Sequence, residues 1–155
     1  MSTQNMILRR ISREDLANEP HLAWNSFIDI VATEAFEDLS DIQRLAHLVF
    51  WYDAEVNNGG HLQYFLNSAG ERASETLSGL LEIGLETQHS ILREALEIVG
   101  SVSLSSIDTV EEYIAEAAED KFGQLDHRYY AHQGEVDRFL EEYLEGHFDN
   151  FIELN

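Results

Sequence analysis

The sequence has no cysteine, a single proline and only nine lysines and arginines in 155 residues. Without cysteine the chain can form no disulfide framework, no thiolate metal site and no thiol nucleophile. Nothing in this composition favours an oxidising compartment, and we therefore expect a cytoplasmic protein.

Long apolar runs are also missing. A helix that crosses a bilayer needs about 20 predominantly apolar residues in succession, and no stretch of the chain provides them. The first residues, MSTQNMILRRISRED, contain no apolar segment followed by small residues, as a secretory signal would. The sequence predicts neither secretion nor membrane insertion.

The common catalytic motifs do not occur in the chain. There is no H-E-x-x-H, no P-loop and no G-x-S-x-G. One grouping, His127, His132, His147 and Asp149, hints at a metal, but its spacings match no standard site. We therefore expect a protein that is not an enzyme and that uses no metal or cofactor.

The chain does contain a large excess of acid. Thirty aspartates and glutamates against nine basic residues give a formal net charge of −21. A small domain needs a net charge of only about 2 to 8 in magnitude for solubility, and further like charge weakens the folded state. Direct binding to nucleic acid is disfavoured, because a phosphate backbone requires a basic surface. Two interpretations stay open, a solvated acidic surface and a surface that binds a positively charged protein.

Apolar residues recur with the 3.6-residue period of a helix in nearly every segment, and no stretch alternates as a strand would. The pattern predicts an all-α fold, a single compact multi-helix domain over residues 1–155. The Ser-rich segment 101–106 is too short to divide the chain into domains. The expected helices begin at Ser12, after Pro20 and at Ser40 or Asp41, stop at Asn57-Asn58-Gly59-Gly60, Gly70, Gly84 and Gly100, and include two acidic C-terminal helices at about 107–122 and 135–146.

Acidic residues form a row on each of the two C-terminal helices. Like charges at i, i+4 destabilise a helix by about 0.2 to 0.5 kcal/mol per pair, so each row opposes folding. Two carboxylates per turn give one charge per ~2.7 Å of axis, between the spacings of one and of two DNA strands. The rows therefore predict a partner-binding surface, with a plain solvated helix face as the alternative. Its residues are Glu111, Glu112, Glu116, Glu119 and Asp120 on the first helix and Asp137, Glu141, Glu142 and Glu145 on the second.

The segment 52–70, YDAEVNNGGHLQYFLNSAG, forms a signature around the clearest break in the helical pattern. Two adjacent glycines allow a sharp reversal, and the polar side chains could cap helix ends or bond to loop backbone. A structural role is the expected one, and a polar pocket that also involves two tyrosines is the alternative. The signature residues are Tyr52, Glu55, Val56, Asn58, Gly59, Gly60, Gln63, Tyr64, Phe65, Asn67, Ser68 and Gly70.

This signature resembles that of the bacterial DNA-mimic protein family, Y-x-x-E-V-x-N-G-G-x-x-Q-Y-F-x-N-S-x-G. Leu125-Asp126 with Arg128-Tyr129-Tyr130 resembles a second element of the family, and the similarity extends over about 28–151. The resemblance implies a helical homodimer whose acidic surface imitates duplex DNA and blocks the DNA-binding surface of a transcription regulator. His61 departs from the family pattern, and we expect it to serve in packing.

Two other functions are compatible with the same acidic composition. An immunity protein or antitoxin that neutralises a basic nuclease toxin would exploit the same electrostatic attraction. A scaffold protein whose charge is incidental would bind its partners with little response to salt.

Overall fold

The computed structural model describes residues 5–100 and 108–155. Within these ranges the chain forms eight α-helices and one two-stranded sheet, which confirms the all-α class. The segment 101–106 and the expected helix start at Ile107 lie outside the described residues. The helices are α1 (Arg13–Asn18), α2 (Leu22–Thr33), α3 (Asp41–Leu66), α4 (Ala73–Ile83), α5 (Glu86–Val99), α6 (Val110–Glu119), α7 (Gly123–Tyr130) and α8 (Glu135–Gly146), and short 3-10 helices span Phe36–Asp38, Ser68–Arg72 and Phe148–Asn150.

Several helices begin and end at the residues that local chemistry predicts. Ser12 caps α1 by accepting a hydrogen bond from the Asp15 amide. Ser40 and Gln43 form a reciprocal capping box at the start of α3. Gly84 ends α4 in the left-handed conformation that favours glycine.

The two ends of the described chain pair as a short parallel sheet. β1 (Arg9–Ile11) lies beside β2 (Ile152–Leu154), with Arg9 opposite Ile152. The buried Gln43 amide donates hydrogen bonds to the carbonyl oxygens of Ile7, at 2.6 Å, and Asn150, at 2.8 Å. The sequence pattern predicted no strand, because three residues are too few for alternation to be recognised.

Helix α3 lies at the centre of the molecule, and α2, α4, α7 and α8 all contact it. Its Val49, Tyr52 and Tyr64 are fully buried, together with Phe27 of α2 and Leu140 of α8. None of the described helices is both long and apolar enough to cross a membrane.

The predicted helix over about 107–122 corresponds to α6, which ends earlier than expected, and the sequence did not predict α7. Helix α6 ends at Glu119, because Asp120 adopts the left-handed conformation (φ 51°, ψ 41°). A separate helix, α7, then begins at Gly123 and buries Leu125 and Tyr129. Aspartate tolerates this conformation better than most residues, which is why an acidic run can conceal a helix end.

Candidate functional site

The signature segment contains a break in α3. Gly59 and Gly60 have non-helical backbone angles, and Gly60 adopts φ 74°, ψ −176°, a conformation open essentially only to glycine. A Cβ atom at Gly60 would collide with the Asp126 carboxylate, and one at Gly59 would collide with the Gln63 side chain. The expected helix stop at this position is therefore observed as a kink between two halves of one helix.

His61, directly after the kink, is fully buried and hydrogen-bonded on both ring nitrogens. Its backbone N–H and its Nδ1–H donate to the same Asp126 oxygen, at 2.9 and 2.6 Å. Nε2 therefore accepts the hydrogen bond from the Tyr52 hydroxyl, at 2.8 Å. Burial raises the pKa of Tyr52 well above its usual value, so the hydroxyl keeps its proton. His61 packs in the core, as expected, and also joins α3 to α7.

The second family element, residues 125–130, lies along α7 and contacts the signature at further points. The Tyr129 hydroxyl donates to Asp53 at 2.6 Å, and its ring packs edge-on against Tyr52 with a centroid distance of 5.4 Å. The Tyr130 hydroxyl donates to the Val56 carbonyl at 2.8 Å. The two stretches of sequence that resemble the family are therefore in direct contact.

The remaining signature residues have different environments. Glu55 accepts hydrogen bonds from Gln63 and Asn67, both at 2.7 Å, and so bridges the kink. Asn58 and Ser68 are exposed, and neither side chain bonds to another part of the described chain. The buried Tyr64 hydroxyl contacts Thr76 at 3.4 Å. Phe65 packs near Phe122, and Gly70 lies so close to the Tyr64 carbonyl that a Cβ there would clash.

The Asp53 carboxyl group has a raised pKa in the folded protein. Burial raises its pKa, and the nearby Asp137 raises it further, although hydrogen bonds from Tyr129 and Asn57 oppose the shift. A carboxyl group whose pKa is higher in the folded than in the unfolded state binds more protons when folded. The stability contributed by Asp53 therefore falls as the pH rises through its folded pKa.

We accordingly expect Asp53→Asn to raise the melting temperature at neutral pH, because the amide oxygen still accepts from Tyr129 and no charge is buried. The gain over the parent should grow as the pH rises from about 4, the ordinary pKa of aspartate, through the folded pKa of Asp53. Differential scanning calorimetry across this range measures it. Asp149→Asn, the same change at an exposed position, controls for the loss of one negative charge. A gain for Asp53→Asn that stays constant or shrinks with rising pH would contradict the assignment.

The acidic row of α8 lies on the outer face of that helix. The opposite face buries Val136, Leu140 and Leu144, and the Tyr143 hydroxyl donates to the Ile42 carbonyl at 2.9 Å, which fixes the orientation of the helix. All four row residues are exposed, and no cation of the described chain forms an ion pair with any of them: Asp137, Glu141, Glu142 and Glu145. The neighbouring Arg138 lies over the Phe139 ring instead, 5.1 Å from its centroid.

The acidic residues of α6 form more contacts with other residues of the described chain than those of α8 do. Lys121 contacts Glu116 at 3.0 Å and Glu119 at 2.8 Å. Glu112 accepts from the Asp108 amide at 3.1 Å, near the helix start. Asp120, which follows the helix, is displaced from the row by its left-handed backbone. Glu111 is exposed and has no ion pair within the described residues. The α8 row is thus the more open of the two.

The metal grouping considered from the sequence is not assembled. Within residues 5–100 and 108–155 no three His, Asp or Glu side chains are placed to hold a metal ion. His132 instead contacts Glu135 at 3.1 Å, and the His147 ring packs against Tyr143 with a centroid distance of 4.4 Å.

Fold and surface together define a class of protein, a mostly helical domain with an exposed acidic helix face that has no cationic partner among the described residues. A family model described as DMP19-like protein matches residues 37–147, more than two thirds of the chain. The protein therefore belongs to the DMP19-like family, the family of DNA-mimic proteins, which is not a known enzyme family. Comparison with curated proteins gives no match, and comparison with solved structures gives none either.

Proposed function

We propose that the protein acts as a DNA mimic, with α8 as the surface that a DNA-binding protein recognises in place of DNA. The observation that carries the proposal is the outward row of α8, whose carboxylates are exposed and without cationic partners in the described chain. From Asp137 to Glu145 the helix rises about 12 Å, so its four charges are spaced on average by about 4 Å along the axis. Phosphates along one DNA strand are spaced by about 3.4 Å of axis.

The partner that fits this surface is a basic DNA-binding protein, most simply a transcription regulator. An acidic helix on a rigid core attracts such a protein over long range, and it presents fixed charges where phosphates would lie. Occupation of the DNA-binding surface then blocks access to DNA. The α6 acids, partly neutralised by Lys121, contribute less in this proposal.

The buried contacts of the signature serve this function indirectly. Through Asp126, Tyr129 and Tyr130, the signature fixes α7 against α3. Helix α8 contacts α3 as well, so a rigid α3 holds the charged face in place. We assign the signature to the scaffold and the α8 row to the partner. A homodimer and a cytoplasmic location stay predictions.

The test is competition between the protein and DNA for one partner. A DNA-binding protein that the chain retains at low salt should lose its DNA as the chain is added, because both ligands occupy the same basic surface. The complex should also weaken steeply as salt rises.

A further inference from the structure

A cavity of about 400 Å³ lies on a part of the molecule that contains none of the row residues. It opens where the end of α2 meets α3, the 3-10 helix Phe36–Asp38 and the 3-10 helix Ser68–Arg72. Sites for small ligands have volumes of about 300 to 1,000 Å³. The cavity is therefore large enough to hold a complete side chain.

The lining of the cavity is acidic, and some of its carboxylate groups have free acceptor capacity within the described chain. Four glutamates and one arginine line it. Glu34 pairs with Arg9 at 2.6 Å, whereas Glu55 uses a single oxygen, Oε2, for both of its hydrogen bonds. Its Oε1 has no partner among the described residues, and the exposed Glu71 has no ion pair there. Two carboxylates of the cavity are thus available to a cation.

Aromatic rings line another part of the cavity. The Arg72 guanidinium lies 3.7 Å from the centroid of the Phe36 ring, and the Arg44 guanidinium lies 4.8 Å from it. The Phe36 ring therefore already packs against guanidinium groups. Trp51 also lines the cavity, and no cation of the described chain lies over its ring. Indole is the aromatic group that binds cations best.

A histidine beside Trp51 adds a neutral acceptor. The His47 Nδ1–H donates to the Val31 carbonyl at 2.8 Å, which leaves Nε2 with a free lone pair. Burial lowers the pKa of His47, so the ring is neutral at pH 7 and does not repel a cation.

We infer that this cavity receives an arginine side chain of a protein partner, stacked on Trp51 and hydrogen-bonded to Glu55 and Glu71. A guanidinium suits the cavity better than an ammonium group, because it is planar, stacks on aromatic faces and donates in two directions. The inference rests on the proposed function only in that the arginine belongs to the same basic partner. The cavity would give that partner an anchor separate from the α8 row.

A titration with a single amino acid derivative tests the cavity without the partner. The ¹⁵N-labelled protein is titrated with N-acetylarginine amide while the two indole N–H signals are followed. Trp51 should shift with a Kd of the order of millimolar, and Trp24, which stacks on Phe27, should not move. A Trp24→Phe variant assigns the signals. N-acetylcitrulline amide, which is similar in shape but uncharged, should cause no shift, and the lysine derivative a smaller one.

Two matched variants test whether arginine binds in the cavity. Glu71→Gln should weaken arginine binding about three- to tenfold, because a charged acceptor is lost, whereas Glu14→Gln on exposed α1 should leave it unchanged. The inference is wrong if arginine does not move Trp51, if citrulline moves it equally, or if Glu71→Gln has no effect. These results are independent of the α8 row. If Trp51 responds but partner binding ignores α8, mimicry fails and the arginine site stands.

Discussion

Removing three carboxylates from α8 should weaken the partner complex about 3- to 100-fold while the protein becomes slightly more stable. The variant is the triple substitution Glu141→Gln, Glu142→Gln and Glu145→Gln. Each exposed ion pair contributes about 0.2 to 1 kcal/mol to binding, and three are lost together. Asp137 is left in place, because it lies in the first turn of α8, where a negative charge stabilises the helix.

The gain in stability has two physical sources. Glu145 lies three and four residues after Glu142 and Glu141, and each such like-charge pair costs about 0.2 to 0.5 kcal/mol. Glu145 also lies in the last turn, where the helix dipole disfavours negative charge. Chemical unfolding measures the change in stability, and isothermal titration calorimetry measures the change in affinity.

A second triple variant serves as the control for net charge. Glu14→Gln, Asp38→Asn and Glu86→Gln remove the same three charges from exposed positions outside both rows. This control should bind the partner nearly as tightly as the parent. Equal weakening by both triples would mean that net charge alone drives binding and that the α8 row has no special role.

Replacing Gly60 by alanine should cost about 3 to 5 kcal/mol of unfolding free energy, a large part of the 5 to 15 kcal/mol typical of a domain. Two effects combine in this variant. The backbone conformation of Gly60 is strained for any residue with a Cβ, and that atom would meet the Asp126 carboxylate that also holds His61. Equilibrium unfolding in urea measures the loss.

Two other glycines serve as comparisons for Gly60. Gly134 also has positive φ, at 87°, but a Cβ there meets nothing within 4 Å, so Gly134→Ala should cost only about 1 kcal/mol. Gly146, in α8, has neither feature, and alanine there should be neutral or stabilising. If Gly60→Ala costs no more than Gly134→Ala, the contact with Asp126 does not constrain the kink.

The sequence predicted the features that depend on local chemistry. Serine caps, glycine stops and apolar periodicity are properties of a few neighbouring residues, so Ser40, Gly84 and the buried face of α8 follow from them directly. The outward direction of the α8 row follows as well, because it lies opposite that buried face.

Features that depend on distant residues could not be derived in this way. The pairing of β1 with β2 joins residues more than 140 positions apart. The link between His61 and Asp126 spans 65 positions, although both residues lie in segments that resemble the family. Lys121 neutralises part of α6 only because the chain turns at Asp120. The cavity at Trp51 collects residues from four elements, and no single segment indicates it.

Competition between the chain and DNA for one partner is the decisive experiment on DNA mimicry. A protein that the immobilised chain retains more strongly than the α8 triple variant does is mixed with a labelled duplex containing its DNA site. Fluorescence anisotropy is then followed as the chain is added. DNA mimicry predicts complete release of the duplex, with an apparent DNA affinity that falls as the concentration of free chain rises and no ternary complex. A stable assembly of partner, duplex and chain, or a duplex that stays bound while the chain saturates the partner, would contradict DNA mimicry.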